Sequence, residues 1–119
     1  MSKRRDARAA VVALAAAAPV FAALGEPTRL RLLARLGEGG AQSIARLTEG
    51  GGVTRQAVTK HLRVLEETGL ARVAREGREQ VWTLDAAPLE AARRSLELVS
   101  QRWDERLARL KALVEEDGS

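Results

Sequence analysis

Apolar residues recur with a helical period along most of this chain, and with a strand-like pattern in one short stretch. Residues 7–18 are a run of good helix formers, mostly alanine, interrupted by Pro19. A short helical piece around Val20–Leu24 follows and stops at Gly25. Glu26-Pro27-Thr28 opens a new helix, because the N–H that proline lacks has no intrahelical partner in a first turn. Leu30, Leu33 and Leu36 give that helix one apolar face, and Gly37, Gly39 and Gly40 end it. Ala41–Thr48 predicts a short helix with Ile44 and Leu47 inward.

Glu49-Gly-Gly-Gly-Val53 reads as a sharp turn. It is not a phosphate-binding loop, since no Gly-Lys-Ser/Thr ending follows and no strand precedes it. Thr54 is a suitable N-cap for a helix that runs to about Thr68, with Gly69 at its end. Two runs rich in strand formers, Leu70–Arg75 and Glu79–Leu84, flank Glu76-Gly77-Arg78 and predict a β-hairpin. A last helix spans about Pro88–Glu116. Its apolar stripe, Leu89, Ala92, Leu96, Val99, Trp103, Leu107, Leu110 and Val114, advances in steps of three and four. A helix of that length outreaches a small domain at about 1.5 Å per residue. Its stripe therefore needs a partner outside the domain, and the simplest is the same helix of a second subunit. The expectation is a mainly α, α+β winged-helix architecture. Residues 1–18 form a helical extension associated with dimerisation, 19–85 the winged helix-turn-helix, and 86–119 the dimerisation helix, with Leu89, Leu96, Val99, Trp103, Leu107 and Leu110 at the interface.

Composition narrows the class. The 119 residues are 45% hydrophobic and 30% charged, which is globular rather than disordered. Aromatics are only 3%, so aliphatic side chains must fill the core. Residues 1–84 hold 14 basic and 8 acidic side chains, whereas 85–119 hold 6 basic and 8 acidic. A basic body with a mildly acidic tail fits a polyanion-binding surface plus a protein-facing element. Cysteine is absent, which removes disulfides and thiolate metal sites. Lys3-Arg4-Arg5 before the uncharged run Ala9–Leu24 has the outline of a signal peptide. That run is alanine-rich, broken by Pro19, and leads directly into the next helix, so a cytoplasmic protein without a membrane segment is expected.

The helix 54–67 carries the candidate chemistry. At 100° per residue, Val58, Leu62 and Leu65 share one narrow arc and form the core face. Gln56, Thr59, Lys60 and Arg63 share the opposite arc, with Arg55 at its edge. A long amide, a hydroxyl and cations, with no acid before Glu66, suit base edges in a major groove. Arg72, Arg75 and Arg78 lie on and around the hairpin tip, where arginine can follow the phosphate backbone or enter the minor groove. The expected DNA contacts are Thr54, Arg55, Gln56, Thr59, Lys60 and Arg63 on the helix, and Arg75 and Arg78 on a wing at 75–79. Used only for protein contacts, the same face would need apolar or aromatic anchors, and it offers none. One histidine, no tyrosine and no close carboxylate pair give no basis for an enzyme, and no cofactor is expected.

The stretches ALGEPTRLRLLARL, RQAVTKHLRVLEETGL and AREGREQVWTL resemble the ArsR-type winged-helix repressors over about Val20–Leu84. The hydroxyl–Val–Ser/Thr–His–Leu pattern is met at Thr54, Val58, Thr59, His61 and Leu62. The resemblance implies a homodimeric repressor of its own or adjacent genes on a palindromic double-stranded operator, and leaves room for a small-molecule effector. It also implies a departure from the metal sensors. Their thiolate motif falls in Ala41–Thr48, which has no cysteine, and their second site falls on the last helix, which has no histidine. His61 is then a packed or hydrogen-bonded residue rather than a ligand. Glu26 replaces the family's usual Asp and is a weaker N-cap.

Overall fold

A computed structural model describes residues 3–117. The elements in order are α1 (Lys3–Ala16), α2 (Ala18–Leu24), α3 (Pro27–Gly39), β1 (Gln42–Ser43), α4 (Ile44–Thr48), α5 (Arg55–Glu67), β2 (Ala71–Glu76), β3 (Glu79–Leu84) and α6 (Ala87–Asp117). Ala18–Glu90 form one compact unit. The helix α1, with α6 from Ala91 onward, forms a second.

The core of the first unit is aliphatic, as so few aromatics require. Leu32, Leu33 and Leu36 of α3 and Leu47 of α4 are buried with Val58, Leu62 and Leu65 of α5 and with Leu70 and Ala71. Trp82 of β3 is the one buried aromatic among them. Each such large side chain contributes about 1.5–3 kcal/mol by leaving water. The expected inward face of α3 is corrected in one position. Leu30 is 49% exposed, and Leu32 takes its place in the core. Inward Leu47 holds, while Ile44 is only half-buried.

The expected two-stranded hairpin is part of a three-stranded antiparallel sheet in the order β1-β3-β2. The added strand pairs Gln42 with Trp82 and Ser43 with Val81. Residues 42–43 therefore precede α4 rather than belonging to it. Ser43 caps that helix by accepting from the Arg46 N–H at 3.3 Å. Gln42 is buried, and its Nε2 donates to the Arg35 carbonyl at 2.7 Å and to the C-cap carbonyl of Gly40 at 3.5 Å, tying β1 to the end of α3.

The second unit buries Ala10, Ala17, Ala92 and Ser95. Leu14 and Val99 are half-buried, and most of its other large apolar side chains are open: Leu96, Leu98, Trp103, Leu107, Leu110, Leu113 and Val114 of α6 are 47–65% exposed, as are Val11 and Val12 of α1 at 62%. Among the described residues no single helix is long and apolar enough to cross a membrane.

Candidate nucleic-acid interface

Both ends of α5 are fixed by local chemistry. Thr54 is extended, and its Oγ1 accepts from the Ala57 N–H at 3.1 Å, so one free donor of the first turn is satisfied. At the other end Gly69, at φ 79°, turns the chain out of the helix. Its N–H donates to the Glu66 carbonyl and that of Leu70 to the Leu65 carbonyl, both at 2.9 Å. This is a Schellman cap, sealed by the fully buried pair Leu65 and Leu70. With Val58, Leu62 and Leu65 anchored in the core, the opposite face of α5 is set toward solvent.

On that face Arg55, Gln56 and Lys60 are exposed. Thr59 is half-buried, and its hydroxyl donates to the Arg55 carbonyl at 2.8 Å, leaving its oxygen free only to accept. Arg63 differs from the others. Its Nη1 lies 2.9 Å from Glu66 Oε1, and its guanidinium carbon sits 5.1 Å from the centre of the Trp82 ring. Arg63 is thus held within α5 by an ion pair and joined to β3 by a cation–π contact. The buried Trp82 gave no sign of this pairing in the sequence, because the two residues are distant along the chain.

The wing is a tight hairpin pairing Ala71 with Leu84 at its base and Glu76 with Glu79 next to its turn. Gly77 has φ 61° and among the described residues no non-glycine has positive φ, so the two-residue turn Gly77-Arg78 has the type II′ form. Arg78 occupies the tip. Arg75 pairs with Gln80, two positions along from Val73 and Trp82, and so shares their side of the sheet. Among the described residues none forms an ion pair with Arg55, Lys60, Arg75 or Arg78. Arg72 lies at the base instead of the tip, which corrects the expected cluster of three. It pairs with Thr83, and its Nη2 and Nε lie 2.7 and 2.9 Å from Asp85 Oδ2. The other oxygen of Asp85 accepts from the Ala87 N–H at 3.0 Å at the start of α6. That N–H, outweighing desolvation and aided by Arg72, holds the Asp85 carboxyl below its ordinary value.

His61 connects α5 to the start of α3. Its Nδ1 lies 3.5 Å from Glu26 Oε2 and 3.4 Å from Arg29 Nη1. Arg29 also donates to the carbonyls of Ala23 and Ala22 that close α2. Glu26 caps α3 by accepting from the Arg29 N–H at 3.0 Å. Desolvation raises its carboxyl, but the N–H groups of Thr28 and Arg29 and the nearby His61 ring together hold it below the usual range. His61 Nδ1 can donate to Glu26 or accept from Arg29, not both, so its tautomer chooses between the two. Among the described residues no three His, Cys, Asp or Glu side chains are placed to hold a metal ion.

A helix-turn-helix domain family matches residues 24–74. YuzN of Bacillus subtilis, an HTH-type transcriptional regulator, is 36% identical over 77 residues, which is 60% of this chain and 84% of YuzN. An ArsR-like transcriptional regulator from Rhodococcus sp. RHA1 shares 39% identity and superposes with a TM-score of 0.73, over 83% of this chain and 92% of that one. The chain belongs to the ArsR family of helix-turn-helix transcriptional regulators. The transcriptional repressor BigR from Xylella fastidiosa is more distant, at 27% identity and a TM-score of 0.57 over 84% of this chain and 95% of BigR. As an ArsR-type regulator the protein binds DNA and acts in transcription. The winged helix-turn-helix expected from the sequence is the fold it has.

Proposed function

We propose that this ArsR-type regulator is a homodimeric repressor that binds a palindromic operator in the promoter of its own or adjacent genes. One observation carries the reading of the interface. A helix face bearing Arg55, Gln56 and Lys60 stands in the same compact unit as a wing with Arg75 and Arg78, and among the described residues none of these cations has an acidic partner. In this reading α5 enters the major groove. Gln56 and Lys60 meet base edges, and Thr54, Arg55, Thr59 and Arg63 line the same groove wall. Arg75 and Arg78 lie on the backbone or in the neighbouring minor groove.

The dimer is supported by the apolar stripe of α6, which runs from Leu89 through Leu96, Val99, Trp103, Leu107 and Leu110; Leu89 and Val99 are half-buried and the other four are exposed. Two recognition helices about 34 Å apart would then face one side of the operator. BigR, named a transcriptional repressor, supports repression over activation. A gel-shift titration against the protein's own upstream region tests the reading. The expected result is a salt-dependent complex with the promoter fragment and much weaker binding to random duplex of equal length. Equal affinity for the two at physiological salt would sink the sequence-specific reading.

A further inference from the structure

Inside the helix-turn-helix, a half-open cavity of about 330 Å³ lies among α3, α4, the glycine-rich turn and α5. Its volume is at the lower end of the range for small-molecule sites, about 300–1,000 Å³. Leu32, Leu47, Val53 and Val58 line it with apolar surface. Two arginines, Arg31 and Arg35, line it against a single acid, Glu49. Arg35 is committed, since its Nη1 donates to the carbonyls of Leu47 at 2.9 Å and Glu49 at 3.1 Å and so closes α4. Arg31, one turn earlier on the same helix face, is exposed and has no partner among the described residues.

We propose that this cavity is an effector site for a small apolar carboxylate and that its occupancy weakens DNA binding; the second half rests on the DNA-binding reading of α5. The ligand's chain or ring lies on the leucine and valine walls, and its carboxylate meets Arg31, whose planar fork matches two carboxylate oxygens. An inorganic phosphate fits poorly, because the apolar walls would leave most of its oxygens without donors. The coupling follows from where the walls are. Val53 directly precedes the Thr54 cap, and Val58 lies on the core face of α5, behind Gln56 and Thr59. An anion held there adds negative charge at the end of α5 that approaches DNA phosphates, so it opposes the complex. By linkage DNA must expel the ligand to the same degree.

The test is a titration of the isotope-labelled full chain with hexanoate and with benzoate, using acetate and inorganic phosphate as controls. Saturable amide shifts are expected at Thr48, Gly50, Gly51 and Val53, with dissociation constants in the low-millimolar range. Arg31→Gln should weaken binding at least about tenfold. Gly51→Leu should abolish it by occupying the cavity rim. It is tolerable there because a Cβ on Gly51 meets only the Thr48 carbonyl oxygen, at 3.6 Å. Saturating hexanoate should lower the affinity of the parent protein for promoter DNA and leave that of Gly51→Leu unchanged. No saturable shift at the lining residues with either probe overturns the site. Equal shifts with acetate or phosphate show plain anion adsorption on Arg31 and also overturn it. Lining shifts with unchanged DNA affinity overturn the effector role. A ligand-free protein with no preference for its promoter defeats the DNA reading alone, and the hexanoate shifts still decide the cavity.

Discussion

Gln56, Lys60 and Arg78 carry side chains that no other described residue holds by an ion pair or side-chain hydrogen bond, so in the proposed complex the cost of ordering them falls at the moment of binding. That cost is about 0.5–1.5 kcal/mol for each flexible side chain, and a contact must exceed it to count. A bidentate base contact does so. Gln56→Ala is expected to lose about 1–3 kcal/mol of discrimination at one operator position, read by competition with single-base operator variants. A loss spread evenly over all sequences would remove Gln56 from the base readers. Arg78→Ala should instead weaken every duplex alike and reduce the salt slope by about one unit, as for one lost phosphate neutralisation. Arg63 is ordered in advance by Glu66 and Trp82, so it brings rigidity where the others bring adaptability. At the base of the wing, the lowered pKa of Asp85 gives a prediction with a definite sign. A carboxyl held below its ordinary 3.8 stabilises the fold above about that pH, and the contribution disappears as pH falls through the lowered value. Asp85→Asn should therefore flatten the acid limb of the stability curve measured by urea unfolding. An unchanged limb would show that the Ala87 N–H and Arg72 contribute nothing net.

At the level of elements, α5 is the best specified segment and its caps are where that can be checked. Gly69 sits at positive φ, where any residue with a Cβ is strained by about 1–2 kcal/mol, so Gly69→Ala should destabilise the protein by that amount. Thr54→Ala should cost about 1 kcal/mol through the lost cap. Both are read from urea midpoints at constant m-value; a change near zero for Gly69→Ala would mean that the end of the helix relaxes to another cap. The same features made α5 legible in the sequence, because threonine, glycine and a three-residue core stripe each act locally. The hairpin was legible for a similar reason, with a glycine at its turn between two β-prone runs. What the sequence left open was decided by tertiary partners. In α3, Leu30, Leu33 and Leu36 fit one arc of the helix as well as Leu32, Leu33 and Leu36 fit another. Only the position of α5 and the sheet selects the second. Strand β1 has two residues, too few for any alternation, and exists because Trp82 and Val81 offer it a free edge. Arg72 read as a wing-tip cation because sequence does not reveal its register opposite Thr83, which brings it to Asp85. The cavity behind the glycine turn was equally hidden. Arg31 and Val53 are 22 positions apart and meet only in the folded chain.

For the molecule as a whole, the feature that demands explanation is the amount of apolar surface left open on α6. Seven large side chains from Leu96 to Val114 are about half exposed or more, and Leu96, Trp103, Leu107, Leu110 and Val114 share one helix face, an apolar patch that monomeric soluble proteins rarely carry. Burying such surface yields roughly 25 cal/mol per Å², which favours the proposed pairing of the stripe with its own copy. The consequence for DNA binding is larger than the interface itself. In the proposed dimer, two heads on one operator convert the second contact into an intramolecular step, which raises avidity by about 10²–10⁴-fold. Breaking the dimer without touching the heads should remove that factor and nothing else. Leu107→Asp, near the middle of the exposed stripe and at 57% exposure, places a charge there at little cost to a lone chain. Sedimentation velocity should then show a monomer with parental helix content. Gel shifts should show affinity for the full operator reduced by about that avidity factor, with affinity for an isolated half-site unchanged. A Leu107→Asp protein that still sediments as a dimer would move the interface off this part of the stripe. One that is monomeric yet binds the full operator at parental affinity would show that a single head suffices and that the palindrome plays no part in recognition.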